Sequence, residues 1–275
     1  MHQSLGHGQD LKQNGFTLIR NPFPNGYIAT IADWLDRQFP VITAPCYESP
    51  HEAFGLSDPP THGVLYDPWH RYPICRDLAA NPAIYAALKE VIGEDIFLYE
   101  SSFLFKTPLT ADKVPWHQDF MNRPDEPVKY VAFMGIDPLK RGSGALNVIP
   151  GSHKRGFLPS RFKQGEAHHT GIPEQLYATL DVEKSIPIEQ EPGDILIFHQ
   201  LLVHSLDECD STSDSLCRSF RFSYQSFDGM YTPRHTPVTV WGGDPSSIAS
   251  SQYMVHPKAK EHASLMRRLI RKIKF

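Results

Sequence analysis

His117 and Asp119 stand two positions apart in the run Trp116-His117-Gln118-Asp119-Phe120. Residues at i and i+2 of an extended chain project from one face, roughly 6–7 Å apart. An imidazole and a carboxylate placed this way can converge on one cation. Two His and one carboxylate on a single face of an octahedron hold Fe(II) and leave the opposite positions open. The third ligand has to come from a later strand. The segment Gly193 to Ser205 offers His199 and His204, which lie five residues apart and so face opposite sides of an extended strand. Only one of them reaches the ion. Further on, Arg218-Ser219-Phe220-Arg221-Phe222-Ser223-Tyr224 alternates as a strand should. Arg218 shares a face with Phe220, Phe222 and Tyr224, while Arg221 takes the other. An arginine leading an aromatic inner face would be buried and would require an anionic partner.

The chain that must position these groups has 275 residues, with 27 Lys plus Arg against 31 Asp plus Glu, for a net charge of −4. Its 40% apolar and 21% charged content is that of a globular protein and excludes a disordered or fibrous one. Mild acidity argues against polyanion binding, so no nucleic-acid partner is expected. No apolar run is long enough to span a membrane, and the polar start MHQSLGHGQDLKQNG lacks the apolar region of a secretory signal. A cytoplasmic protein with reduced thiols at Cys46, Cys75, Cys209 and Cys217 is the expectation. The 24 Pro favour short elements joined by turns, and so a β-rich fold.

No repeat, low-complexity tract or linker divides the chain, so a single domain over 1–275 is expected. Its N-terminal part, 15–93, carries a strand at Gly15 to Arg20. Helices are expected over Tyr27 to Phe39 (Ile28, Ile31, Trp34 and Leu35 on one face) and Asn81 to Ile92, with Gly93 just beyond. The intervening Pro40 to Pro73 stretch has no clear period. With Tyr47, His51, Phe54, His62, Tyr66 and Trp69 it suits a wall or lid over a reactive centre. The core, about 95–227, reads as strands at 96–105, 128–136, 145–149, 195–198 and 220–227, the spacing of a sandwich, jelly roll or barrel. Phe227 to Pro233 is a second candidate wall. The stretch 263–275 is a basic amphipathic helix, read as a solvated end docked on the fold. Pro150-Gly151-Ser152-His153 reads as a structural turn, and His168-His169 as solvent-exposed.

These pieces together resemble the phytanoyl-CoA dioxygenase family of Fe(II)- and 2-oxoglutarate-dependent oxygenases. The resemblance rests on Trp116-His117-Gln118-Asp119, Gly144 to Lys154, the Gly193-Asp194 strand ending at His204, and Arg218, in that order. It implies a mainly β, double-stranded β-helix (jelly-roll or cupin-like) core with flanking α-helices. It also implies His117, Asp119 and His204 as iron ligands, and Arg218 as the partner of the distal carboxylate of 2-oxoglutarate, with Arg221 as fallback. Family members often carry Ser or Thr two residues past the distal His to help hold the co-substrate. Leu206 occupies that position here, so the nearest hydroxyl, Ser205, is the candidate. On the strand before the H-x-D, Glu100 or Ser102 could face the metal.

The resemblance further implies that O2 is the second substrate and that succinate and CO2 are released. Halogenases of the family replace the carboxylate ligand with a small residue. Asp119 is present, so hydroxylation or oxidative demethylation of a small metabolite is expected. No basic cluster suited to a coenzyme A pyrophosphate lies near the motifs, which favours a free small molecule, in secondary metabolism. Two rivals stay open. One is a cupin-type dioxygenase that needs no 2-oxoglutarate, in which Arg218 would be dispensable. The other is a non-catalytic jelly-roll binding module.

Overall fold

The computed structural model describes residues 6–38, 64–106, 114–120, 127–162, 170–206, 217–226 and 238–242. Its helices are α1 (His7–Asn14), α2 (Tyr27–Gln38), α3 (Pro68–Arg71), α4 (Pro73–Ala79), α5 (Pro82–Ile92) and α6 (Tyr177–Leu180). The two expected helices appear as α2 and α5. Asn81, expected as the first residue of the second helix, is instead its cap: its side chain accepts the Ala83 N–H at 2.8 Å, and Pro82 fills the first helical position. Helix α1 precedes the expected helical region. With Gly8 and Leu11 its only buried residues, it offers no apolar period to read. The unperiodic stretch ending at Pro73 yields α3 on its described side. Tyr47, His51, Phe54 and His62, the pair His168-His169, the stretch 227–233 and the basic C-terminal segment lie outside the described residues.

The strands are β1 (Phe16–Ile19), β2 (Val64–Tyr66), β3 (Ile96–Lys106), β4 (Val114–His117), β5 (Lys129–Gly135), β6 (Leu146–Val148) and β7 (Arg161–Phe162). They continue with β8 (Thr170–Gly171), β9 (Ile186–Ile188), β10 (Ile195–His199), β11 (His204–Leu206), β12 (Cys217–Ser226) and β13 (Val238–Trp241). A large sheet runs in the order β1-β10-β5-β12-β3-β13, with β2 also on β3, and a smaller one runs β4-β11-β6-β9. Val131, Phe133, Leu196, Phe198 and Cys217 of the large sheet pack against Leu146, Val148 and Ile188 of the small one. The two sheets enclose one apolar interior, as the β-helix expectation requires. No helix among the described residues is long and apolar enough to cross a membrane.

The outer face of the large sheet is also buried, and this changes how β12 is read. Phe220, Phe222 and Tyr224 join Leu11, Ile31, Leu35, Leu78 and Leu88 in a second core between sheet and helices. The aromatic face of β12 is therefore its outer, helix-covered face. Arg218 points the same way, contrary to the expectation that it enters the interior. Its Nε and one terminal nitrogen donate to the two Asp137 carboxylate oxygens at 2.9 and 2.8 Å, and the other donates to Asp36 on α2 at 2.6 Å. Asp137 also accepts the Arg218 backbone N–H at 2.8 Å. The guanidinium thus ties α2 to the end of β5 and β12, and its carboxylate partners belong to the protein itself.

Replacing Arg218 with Met should cost about 3 kcal/mol of stability, because Asp137 would be left as a mostly buried, uncompensated charge. Metal and co-substrate binding should be unchanged. Chemical denaturation alongside a binding titration checks both, and a loss of co-substrate binding with stability intact would restore Arg218 to the site.

Candidate metal centre

Strands β4 and β11 are antiparallel neighbours, and His204 lies directly opposite His117. Directly opposed residues share a face, and the two imidazole centroids are 4.1 Å apart. Asp119 follows the end of β4, its N–H held by the Gln200 carbonyl at 2.8 Å. Its Oδ1 lies 3.8 Å from His117 Nε2 and 3.9 Å from His204 Nε2. One donor atom from each of the three lies within 4.8 Å of the others. The spacing argument is thus met in space: three residues from two distant stretches of chain converge on one side of the interior.

Each imidazole is aimed by its own backbone. His117 Nδ1 lies 2.8 Å from the Pro115 carbonyl, and His204 Nδ1 lies 2.8 Å from the Leu202 carbonyl. A carbonyl only accepts, so Nδ1 carries the proton and Nε2 keeps its lone pair, the arrangement that orients a metal-binding histidine. Gln118, facing the other way, is fully used: its amide donates to the Gly156 and Leu201 carbonyls at 2.9 and 2.8 Å and accepts the Leu158 N–H at 2.9 Å. The Pro150-Gly151-Ser152-His153 turn is structural, as expected. Ile149 N–H bonds the Val203 carbonyl, and Ser152 Oγ accepts the Val203 N–H at 2.8 Å. The turn therefore fixes the residue just before His204. The Asp194 carboxylate is likewise spent on Arg20 and on the N–H groups of Asn21 and Glu191.

His199, the alternative third ligand, faces Tyr130 and His153 on the outer side and accepts the Leu201 N–H at 3.0 Å. Ser205 alternates with His204 and lies opposite Asn147, so it points away from the interior that Leu146, Val148 and Leu206 line. Neither Ser205 nor Arg218 joins the triad's face. Arg221 does, with its terminal nitrogens 2.9 Å from Asp119 Oδ2 and 2.5 Å from Glu100 Oε1. Of the two candidates on β3, Glu100 is thus linked to the centre through Arg221. The Phe120 ring lies 5.2 Å from the Arg221 guanidinium, and its φ of 55° turns the chain sharply after Asp119.

The electrostatics suit a cation. Burial, then the neighbouring His204, pushes the His117 pKa down to about 4, and burial lowers that of His204. Both rings are neutral near pH 7. Burial alone would raise the Asp119 pKa, but Arg221, His204 and His117 outweigh it and hold the carboxyl at about 2. The donor set is therefore two neutral imidazoles and one carboxylate, with no thiolate. That set fits iron(II) rather than a zinc–thiolate site.

The model of the family Phytanoyl-CoA dioxygenase (PhyH) matches residues 11–208, and the chain belongs to that family. A probable phytanoyl-CoA dioxygenase of Caenorhabditis elegans is 27% identical over 169 residues, which is 53% of each chain. The 1-deoxypentalenic acid 11-beta-hydroxylase of Streptomyces exfoliatus is 30% identical over 146 residues, 49% of this chain and 50% of the relative. The chain thus spans about half the length of the curated relatives it matches. Among solved structures, EvdO2 from Micromonospora carbonacea var. aurantiaca superposes with a TM-score of 0.66 at 18% identity, covering 90% of this chain and 97% of that one. Iron-bound EctD from S. alaskensis gives 0.61 at 13% identity, covering 85% and 82%. At these identities the likeness shows the shared jelly-roll fold.

His117 and His199, the latter also pushed down to about 4 by burial and then by His153, give the metal-free protein an acid limb. Both pKa values lie below the ordinary 6.5, so the unfolded chain takes up these protons first as pH falls. Stability should drop between about pH 6.5 and 4, and His117→Gln combined with His199→Gln should flatten that slope. Thermal melts in chelator across this range check it; a level or rising midpoint would contradict the burial of neutral imidazoles.

Proposed function

We propose that the protein is an iron(II)- and 2-oxoglutarate-dependent oxygenase that oxidises a C–H bond of a small metabolite, by hydroxylation or oxidative demethylation. The observation that carries this reading is the triad itself. Two Nε2 lone pairs and one carboxylate oxygen point at a common volume, and both Nδ1 groups are already committed to backbone carbonyls. His117 and His204 would hold the iron through Nε2, and Asp119 through Oδ1. When bound, iron(II) supplies O2 activation coupled to decarboxylation of 2-oxoglutarate to succinate and CO2.

The chain's own contribution is positional. Arg221, on the triad's face, is the cation placed to meet the distal carboxylate of 2-oxoglutarate, in the role first expected of Arg218. It also grips Asp119 Oδ2, leaving Oδ1 toward the imidazoles. The apolar interior around Phe133, Leu146, Val148 and Leu206 excludes water and stray reductants from the oxidising centre. A hydroxylase among the relatives, and neighbours described as an epimerase and a carbocyclase of nogalamycin biosynthesis, support a natural-product substrate. Buried Cys75, a free thiol, accords with a reducing, cytoplasmic setting.

One observation favours a second reading. The Arg221 guanidinium already pairs with two carboxylates, so a metal-dependent dioxygenase without 2-oxoglutarate would leave it undisturbed. Anaerobic titration of the iron(II) protein with 2-oxoglutarate separates the two. A charge-transfer absorption should develop, Arg221→Met should weaken co-substrate binding about 10–100-fold as expected for a charge-assisted pair, and Asp119→Ala should abolish substrate-dependent succinate release. Absence of the absorption in the wild-type protein would select the second reading.

A further inference from the structure

The inner face of β12 carries more polar chemistry than iron and co-substrate binding accounts for. Register places Ser223 opposite Val131 and Gln225 opposite Lys129 on β5. Val131 belongs to the interior core, while Phe222 and Tyr224 belong to the helix-side core. Arg221, Ser223 and Gln225 therefore form one inward stripe. Ser223 is 0% and Gln225 1% exposed. Among the described residues, Ser223 Oγ and both ends of the Gln225 amide have no hydrogen-bond partner, nor does the buried Nε2 of Gln200.

The stripe lies beside the triad. The Lys129 N–H donates to Gln200 Oε1 at 2.7 Å, and the Gln200 carbonyl accepts the Asp119 N–H at 2.8 Å. Phe120 spans the gap, with the Arg221 guanidinium 5.2 Å and the Lys129 ammonium 5.0 Å from its ring. Buried polar side chains are nearly always hydrogen-bonded, because leaving one unpaired costs its full desolvation. Several such atoms at one place, next to a reactive centre, are the signature of a site completed by its ligand. An amide with both ends open is satisfied by a group that both donates and accepts, which a hydrocarbon chain cannot do.

We propose that Gln225, supported by Ser223 and Gln200, is a specificity-determining residue that binds a hydroxyl or carboxamide group of the substrate. This rests on the oxygenase reading above and narrows its substrate to molecules bearing such a group near the oxidised carbon. A site built to hydrogen-bond a polar group discriminates strongly against the analogue lacking it.

The test uses the full chain loaded with zinc(II) and 2-oxoglutarate, as a redox-silent stand-in, and ligand-observed NMR. The probes are neutral fragments carrying a hydroxyl or primary carboxamide, each paired with its methyl or isopropyl analogue. Polar members should bind about tenfold more tightly than their partners, and the preference should fall to about one in Gln225→Leu and Gln225→Met. The melting midpoint of these variants without fragments should hold or rise, since they remove groups with nothing to pair with. Equal binding of the apolar analogues, no fragment that distinguishes wild type from variant, or a clear drop in midpoint would overturn the proposal, the last by making Gln225 structural. A parallel iron(II) titration isolates the premise. If the charge-transfer absorption forms in wild type and variants alike, failure of the fragment preference falls on Gln225 alone; if it does not form in wild type, the oxygenase reading fails.

Discussion

A single carboxylate has to serve three neighbours at once. Asp119 pairs one oxygen with a guanidinium and turns the other towards the Nε2 lone pairs of two neutral imidazoles. The guanidinium keeps it ionised despite its burial and leaves Oδ1 directed where His117 and His204 direct their Nε2 atoms. Remove the guanidinium and desolvation works against the charge; remove the imidazoles and the free oxygen has no other donor beside it to share an ion with. The remaining architecture follows from holding that carboxylate still, on one side of an apolar interior, without neutralising it.

Two sheets do the holding in different ways. The small sheet sets the two imidazoles side by side through direct register, since His117 and His204 are cross-strand partners and cannot drift apart without breaking β4 from β11. The large sheet supplies the counter-charge, with Arg221 at the middle of β12, flanked by β3 and β5. Backbone carbonyls of Pro115 and Leu202 set the ring orientations, so the geometry depends little on side-chain freedom. Helices α2, α4 and α5 cover the outer face of the large sheet and make it a rigid wall.

The triad was legible in the sequence because its logic is local and periodic: i and i+2 on one strand, then a histidine on a later strand. The helices α2 and α5 were legible for the same reason. The choice between Arg218 and Arg221 was not. Alternation tells which residues share a face but not which face lies inside, and on a strand buried on both sides the apolar stripe marks neither. Phe220, Phe222 and Tyr224 face helices, so the rule that aromatic neighbours mark the interior pointed to Arg218, which turns outward with them. Ser205 failed similarly, being next to His204 in sequence and hence on the opposite face of β11. Glu100 could be shortlisted but not chosen, because its partner across β12 is fixed by pairing register, which sequence alone does not carry. Helix α1, whose one buried apolar side chain is Leu11, gave no period to detect.

The central claim is that one iron ion is gripped by Nε2 of residues 117 and 204 and a single oxygen of residue 119. Anomalous diffraction at the iron absorption edge, from crystals loaded with iron(II) under anaerobic conditions, addresses it most directly. The account predicts one strong peak within coordination distance of those three atoms, with Arg221 retained on the far carboxylate oxygen or on bound 2-oxoglutarate. A peak at any other group of side chains, or coordination through either Nδ1, would contradict it.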